Sequence, residues 1–453
     1  MTRYDDDRSR GQALRHTVPR STIGDFALPE DRDPLAIIES QHASRIPELI
    51  PVRVARLGAG PFAFFRGTAA VQAADLAACP STGITVAMVG DAHVSNFGLL
   101  AAEDRSLVFD VNDFDEATFG PWEWDLKRLV SSVWVACEER GLAPAKTERA
   151  ARAAARSYRE TLLRTATLSP LEVYTLRARP VSTEAGGEAF ARAVADAVRR
   201  AEKRTPEKAL SRIVKPGSDG QPHVAEHPPE VVAVSGESRA EVEHLLGAYR
   251  ATVSPDVALL LHQFTVTAAA RFAVGVGSVG TRCYVVVLAG PHGEPLILQI
   301  KEAGPSVIHE FGNVPAAPPT SLDGDPADFE GHGGRRVTSL QRILQSVYDP
   351  FLGWFEVDDD SFYVRRFHDV SASIEMDSLT PASVADYGAA CGILLARAHS
   401  QSPALPIIAG YLGAGRSFDP AVADWGRQYA SLVRQDHAGF VDAVAAGRFG
   451  TTP

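Results

Sequence analysis

The stretch GDAHVSN, Gly90–Asn96, gathers an aspartate, a histidine and an asparagine in one short polar loop. Two further aspartates, Asp113 and Asp115, follow a hydrophobic run in VFDVNDFDEA. Magnesium takes hard oxygen ligands, usually one or two from the protein and the rest from phosphates and water. An aspartate that contacts an acceptor hydroxyl, with an asparagine and a second aspartate on the metal, makes a phosphoryl-transfer site. The order D-x-x-x-x-N, strand, D-F at Asp91, Asn96 and Asp113 fits that arrangement, with Asp115 as a further candidate ligand. Taken alone, an Asp–Asn loop is also what a capped turn looks like. His93 with Asp91, Asp113 and Asp115 has the composition of a metal-hydrolase cluster. No second histidine lies in the region, so the simpler role for His93 is to order the loop by hydrogen bonding.

A second group lies far downstream. Gly275, Gly277 and Gly280 spell GxGxxG in GVGSVGTR, and the sequence that follows, CYVVVL, is β-branched. The glycines therefore bridge two strands rather than opening a helix, which argues against a dinucleotide-binding turn. The pattern suits a hairpin over phosphates, whose amides approach because no side chains obstruct them, with Gly275, Gly277, Ser278 and Gly280 as the contacts. The plainer reading is a tight hairpin and nothing more. Lys301 ends the apolar run LILQIK. A lysine there is costly to bury without an anionic partner. A lysine-bearing strand behind a glycine hairpin is how protein-kinase-like folds hold the α- and β-phosphates of ATP.

These residues need strands and helices to bring them together. ITVAMVGDAHV and SLVFDVNDF read as buried strands, and FAVGVGSVGTRCYVVVLAGPHGEPLILQIKEAG reads as strand, glycine turn, strand, hairpin, strand. Apolar spacing predicts helices from Trp122 to about Ala201, near 239–251 and near 256–270, and through most of the C-terminal region, with a short strand at SFYVRRFHD. DPLAIIESQHASRIPELIPVRVARL reads as a helix ending before Pro51 and then an extended piece; GPFAFFRG reads as an aromatic turn. Residues 1–35 read as a partly ordered arm, and 203–236 and 313–334 as long loops.

Composition narrows the classes. The 453 residues carry a formal charge of −11, which argues against nucleic acid held on a basic face. No apolar run approaches the roughly 20 residues of a membrane span, and the charged N-terminus lacks the apolar segment of a secretory signal. Cys79, Cys137, Cys283 and Cys391 lie far apart without a CxxC pair, so free thiols in a reducing cytoplasm are expected rather than zinc or disulfides.

The segments GDAHVSNFG, VFDVNDFDEATFGPWEWDLKRL and FAVGVGSVGTRCYVVVL…LILQIKEA, together with VPRS, DPLAIIESQ and GPFAFFRG, resemble a bacterial domain-of-unknown-function family, number 2252. That likeness runs over nearly the whole chain and implies no activity. More distantly, GDAHVSN…VNDFDEATFGPWEWDL is similar to the catalytic segment of aminoglycoside and choline phosphotransferases. The likeness implies a catalytic Asp91, magnesium ligands at Asn96 and Asp113, and a structural Asp125. The sequence departs from that pattern at Val89, where the loop usually has a histidine. In those kinases the glycine loop and lysine come first; here they follow, and the helix ending CGILLARAHSQSP, which resembles the lead-in to the catalytic loop, lies near the C-terminus.

The resulting expectation is an α+β, bilobal, protein-kinase-like fold in circularly permuted order. Residues 1–252 would form the arm and catalytic part, 253–347 the glycine-loop sheet, and 348–453 the hinge and remaining helices. The helix RRVTSLQRILQSV would stand where the kinase N-lobe helix stands, with Glu310 or Glu302 as partner for Lys301. The expected activity is ATP- and magnesium-dependent transfer to a small-molecule hydroxyl. Nucleotidyl transfer, an inactive nucleotide-binding regulator and a metal-dependent hydrolase are the alternatives. Arg20, Arg53, Arg56 and Arg66 are candidates for an anionic acceptor, with surface or ion-pair roles the simpler reading for most of them.

Overall fold

The computed structural model describes residues 2–102, 106–176, 188–202, 206–216, 222–234, 236–273, 275–315, 331–367 and 372–449. The fold is α+β. The polar loop of interest sits among short strands. Thr85–Met88 (β1) pairs antiparallel with Thr118–Pro121 (β4), while Phe97–Ala101 (β2) and Leu107–Val111 (β3) form a hairpin between them in sequence. Val214–Pro216 (β5) and Pro222–Val224 (β6) make a small hairpin.

The larger sheet has six strands, all antiparallel: Val231–Ala233 (β7), Thr265–Phe272 (β8), Cys283–Ala289 (β9), Pro295–Glu302 (β10), Gly353–Val357 (β11) and Asp360–Arg366 (β12). Their spatial order is β11-β12-β10-β9-β8-β7. Side chains alternate faces along a strand. On β9, Val286 and Leu288 join Leu298, Ile300, Val364 and Tyr249 on one face. Val285 and Val287 join Ile297, Phe367 and Ile213 on the other. The unbroken apolar run CYVVVL follows from this, because a strand buried on both faces needs no polar alternation. The sheet spans Val231 to Arg366 and so reaches beyond the 253–347 segment on both sides. Ala372–Ser373 (β13) adds to β2.

The main core is helical. Trp122–Glu139, Pro144–Thr165, Ser383–His399 and Phe418–Ala445 pack around Trp122, Tyr158, Leu395, Tyr411 and Trp425, all buried. No helix among the described residues is long and apolar enough to cross a membrane.

Several local expectations are corrected. The N-terminal arm begins with a helix, Arg3–Ala13, closed by a reciprocal capping box between Thr2 and Asp5. Pro51 does not end a helix: Ile50–Gly58 is helical with the proline in its first turn, where the missing N–H has no partner to lose. PFAFFRG is likewise a short helix, Pro61–Gly67, and not a turn. Residues 265–270 belong to β8; the preceding helix stops at Leu261. The expected loop 203–236 contains the helix Pro206–Ile213 and β5–β7, and residues 316–330 of the second loop lie outside the described residues, as do 368–371 of the expected hinge.

Candidate active site

The loop after β1 is shaped by one buried carboxylate. Asp125, in the first turn of Trp122–Glu139, accepts from the Val89 amide at 2.7 Å and the Gly90 amide at 2.9 Å. It also meets His399 Nε2 at 3.0 Å, and His399 Nδ1 lies 2.7 Å from the Tyr158 hydroxyl. Asp125 and His399 are both fully buried. Gly90 has φ +78°, and a Cβ there would overlap the Glu116 carbonyl oxygen, so only glycine serves. The loop then closes on itself: Asn96 Nδ2 and the His93 amide both donate to the Asp91 carbonyl, each at 2.8 Å.

Asp91 is held by Arg128, a residue outside the polar loop and the aspartate pair. Arg128, one turn after Asp125 on the same helix, donates from Nε to Asp91 Oδ1 at 2.7 Å. Its other nitrogens donate to Gln72 Oε1 (2.8 Å) and the Phe65 carbonyl (2.7 Å), and its guanidinium lies 3.8 Å from the Phe65 ring centre. Every arm of the guanidinium is thereby engaged. The sequence signal was available, since Asp125 and Arg128 are three apart on one helix face. The second oxygen of Asp91 lies 3.7 Å from His93 Nε2. Burial pushes the His93 imidazole down to about 3, so it is neutral. His93 hydrogen-bonds within the loop through its backbone, donating to the Asp91 carbonyl and accepting from the Asn96 amide, while its Nδ1 has no partner among the described residues.

Lys301 sits on β10, register-paired with Tyr363 of β12. Its Nζ lies 2.5 Å from Asp115 Oδ2, and the Tyr363 hydroxyl donates to Asp115 Oδ1 at 2.5 Å. Burial works against ionising Asp115, but the Lys301 charge and hydrogen bond bring its carboxyl below the usual range. Asp113 behaves oppositely: burial, and then the Asp115 charge, hold its carboxyl above the usual range. Neither glutamate proposed for Lys301 is its partner. Glu302 accepts from Arg282 and from the Arg282 amide, and Lys301 finds an aspartate instead. The helix Gly333–Leu344 contributes an arginine rather than a glutamate: Arg336 donates to the carbonyls of Asp115, Ala117 and Gly304. Glu116 accepts from the Val307 amide, and burial pushes its carboxyl up to about 7.

The glycine segment does bridge β8 and β9. Gly275 (φ +75°) and Gly280 (φ +94°) take left-handed backbone. The turn is docked rather than free. Arg56 donates to the Gly275 carbonyl (2.6 Å), Arg45 to Val279 (2.5 Å), and the Ile46 amide to Gly280 (2.8 Å). Arg56 also pairs with Glu230, and Arg20 donates to the Leu412 carbonyl, so neither is free for a ligand.

Asp91, Asn96, Asp113 and Asp115 line one cavity of about 330 Å³ with Gly275, Gly277 and Ser278. Lys301, 3 % exposed, stands behind Asp115. Gly280 makes its close contact with the Arg45 side chain. His93 lines the same cavity, and among the described residues no group of three or more His, Cys, Asp or Glu is placed to hold a metal.

An α+β protein with a polar cleft between a six-stranded antiparallel sheet and a helical core is the class that this geometry defines. Residues 45–443 match the family described as "Uncharacterized protein conserved in bacteria (DUF2252)", and the chain belongs to that family. No curated protein and no solved structure shows a significant match to it.

Two outcomes are expected from this geometry. Lys301→Met strands a part-buried carboxylate and should cost on the order of 3 kcal/mol in chemical denaturation. Adding Asp115→Asn should recover part of that loss, and strict additivity would refute the pairing. Glu116 has a folded value above the ordinary 4.5, so its contribution is complete below that value and is lost as pH rises through about 7. Glu116→Gln keeps an acceptor for the Val307 amide; wild type should lose stability relative to this variant as pH rises from about 5 to 8.

Proposed function

We propose that the protein is an ATP- and magnesium-dependent phosphotransferase acting on the hydroxyl of a small molecule, with a bilobal, protein-kinase-like fold in circularly permuted order. The observation that carries this reading is the Lys301–Asp115 contact, formed across 186 residues of sequence. It joins the lysine strand behind the glycine hairpin to the segment that supplies Asp91, Asn96 and Asp113. The permuted order has its own support. Ser402, just past the helix Ser383–His399, accepts from the Ala87 amide of β1 at 2.9 Å. The helix that resembles the lead-in to the catalytic loop thus ends beside the strand that opens that loop.

Asn96 and Asp113 fit a magnesium ion. Asn96 spends its Nδ2 on the Asp91 carbonyl, leaving Oδ1 as the group available to a cation. Asp113 is part-buried, and burial and the Asp115 charge work against its ionisation, which Lys301, bonded to Asp115, offsets only partly. Two protein oxygens suit an ion that completes its shell with phosphates and water. When bound, magnesium would neutralise the phosphate charge. The amides of Gly275–Ser278 would hold the phosphates, and Lys301 would reach them by exchanging Asp115 for a phosphate oxygen. Arg128 holds Asp91 so that its second oxygen can take the acceptor proton. The acceptor oxygen then bonds to the γ-phosphorus, and the bond to the β–γ bridging oxygen breaks, releasing ADP.

The Asp91–Arg128 ion pair favours one second reading, a nucleotide-binding regulator without turnover, since that carboxylate already has a charge partner. A thermal-shift titration addresses both readings: ATP with Mg²⁺ should raise the melting temperature by mass action, and no shift at millimolar nucleotide sinks them together. Asp91→Asn should abolish ADP formation while ATP binding stays within about twofold, and full activity in that variant would exclude the assigned role.

A further inference from the structure

The lining of the cavity that holds the aspartates also includes two guanidinium groups among further carboxylates, Glu116, Glu302 and Glu310. Arg45 and Arg66 line it, from the segment that also docks the glycine turn. Arg45 donates from Nη1 to the Val279 carbonyl, but its Nε is buried with no partner among the described residues. Arg66 Nε is likewise buried and without a partner among them. Glu116 and Glu302 act on Arg45 at a distance, yet their own bonds go to Val307 and Arg282.

Behind this lining lies a second anomaly. Arg53 is fully buried (0 % exposed) and donates only from Nη2, to Gln41 Oε1 at 2.8 Å; Nε and Nη1 have no partner among the described residues. Gln41 itself lines the cavity. The charges around Arg53 are of its own sign: burial and then Arg45 press its guanidinium well below the ordinary value. Burial, Arg53 and Arg45 together push His42 down to about 4. Guanidinium groups stay protonated in proteins, and buried charges are ordinarily paired. Arg45 and Arg66 share the cavity lining, Arg45 acts on Arg53 behind it, and no carboxylate is bonded to any of the three among the described residues.

We propose that Arg45 and Arg66, backed by Gln41 and Arg53, form a subsite for a phosphoryl dianion, so that a ligand of the cavity shared with Asp91 and Asp113 presents a phosphate to these guanidinium groups. Two lining guanidiniums and a buried third match a dianion better than a single carboxylate charge, and their planar forks match phosphate oxygens. Binding at the subsite stands on the residues alone. Only the identity of the occupant rests on the phosphotransferase reading. It is either the terminal phosphates of the nucleotide or a phosphate already carried by the acceptor.

The test is calorimetric titration of the full chain with inorganic phosphate and with pyrophosphate, in EDTA so that no metal site contributes. Wild type should bind at least one of them at millimolar concentration or tighter, and the Arg45→Ala/Arg66→Ala pair should weaken that binding by about tenfold or more. Arg66→Lys should retain part of it, and Arg66→Ala, which removes no side-chain hydrogen bond or ion pair among the described residues, keeps the test open if the double variant fails to fold. No binding of either anion up to about 10 mM, or equal affinity in Arg66→Ala and wild type, overturns the proposal. A further titration separates the sources. If Arg66→Ala weakens ATP about tenfold but leaves AMP unchanged, the occupant is the nucleotide's own phosphate. If ATP affinity is unchanged and phosphate still binds in the presence of a non-hydrolysable ATP analogue, the phosphate belongs to the acceptor. Failure of ATP–Mg²⁺ binding with phosphate binding intact would refute the phosphotransferase reading alone.

Discussion

A lysine near the end of a strand buried on both faces must find a negative charge, and for Lys301 that charge is Asp115. Much of the cavity depends on this requirement. Asp115 stands on the segment after β3, whereas Lys301 and Tyr363 stand on the six-stranded sheet. Satisfying both oxygens of one carboxylate from two sheet strands sets that sheet against the helical part in one position. Other buried bonds repeat the constraint. Arg336 binds three carbonyls, two of them from residues 115–117, and Asp110 accepts from the amide and hydroxyl of Ser346. Each leaves an unsatisfied buried group if the two parts separate, so the polar contacts act together as a register.

Asp125 plays the corresponding part within the helical region. It receives two consecutive loop amides and a histidine that is backed by Tyr158, and so links the loop after β1 to three helices. Arg128 on the next turn fixes Asp91 itself. The loop is thus held in place twice over: its backbone is pinned by one carboxylate and Asp91 by one guanidinium. The acidic side of the cavity is largely satisfied by the protein. Along and behind the lining, nitrogens of Arg45, Arg53 and Arg66 are buried without a partner among the described residues.

Much of the local structure could be read from the chain. Strands around GDAHVSN and SLVFDV, the glycine turn before CYVVVL and the lysine at the end of LILQIK are all where side-chain type and period put them. Misreadings fell where local signals are ambiguous. Proline at 51 reads as a stop although it also starts helices, and TVTAAA has the composition of either element. Glu302 and Glu310 looked equally good partners for Lys301, because nothing in a one-dimensional pattern ranks carboxylates by distance.

By itself the sequence determined which residues can carry charge and metal chemistry, and which short runs form strands, turns and helices; these depend on neighbours a few positions away. Only the tertiary structure decided that Lys301 meets Asp115, that Arg128 clamps Asp91, and that Arg66 lines the cavity while Arg20 and Arg56 are taken up by carbonyls and Glu230. Such pairings form between segments remote in the chain, and which of several chemically equivalent partners wins is settled by how the sheet and the helical core pack, where burial makes each unpaired charge costly.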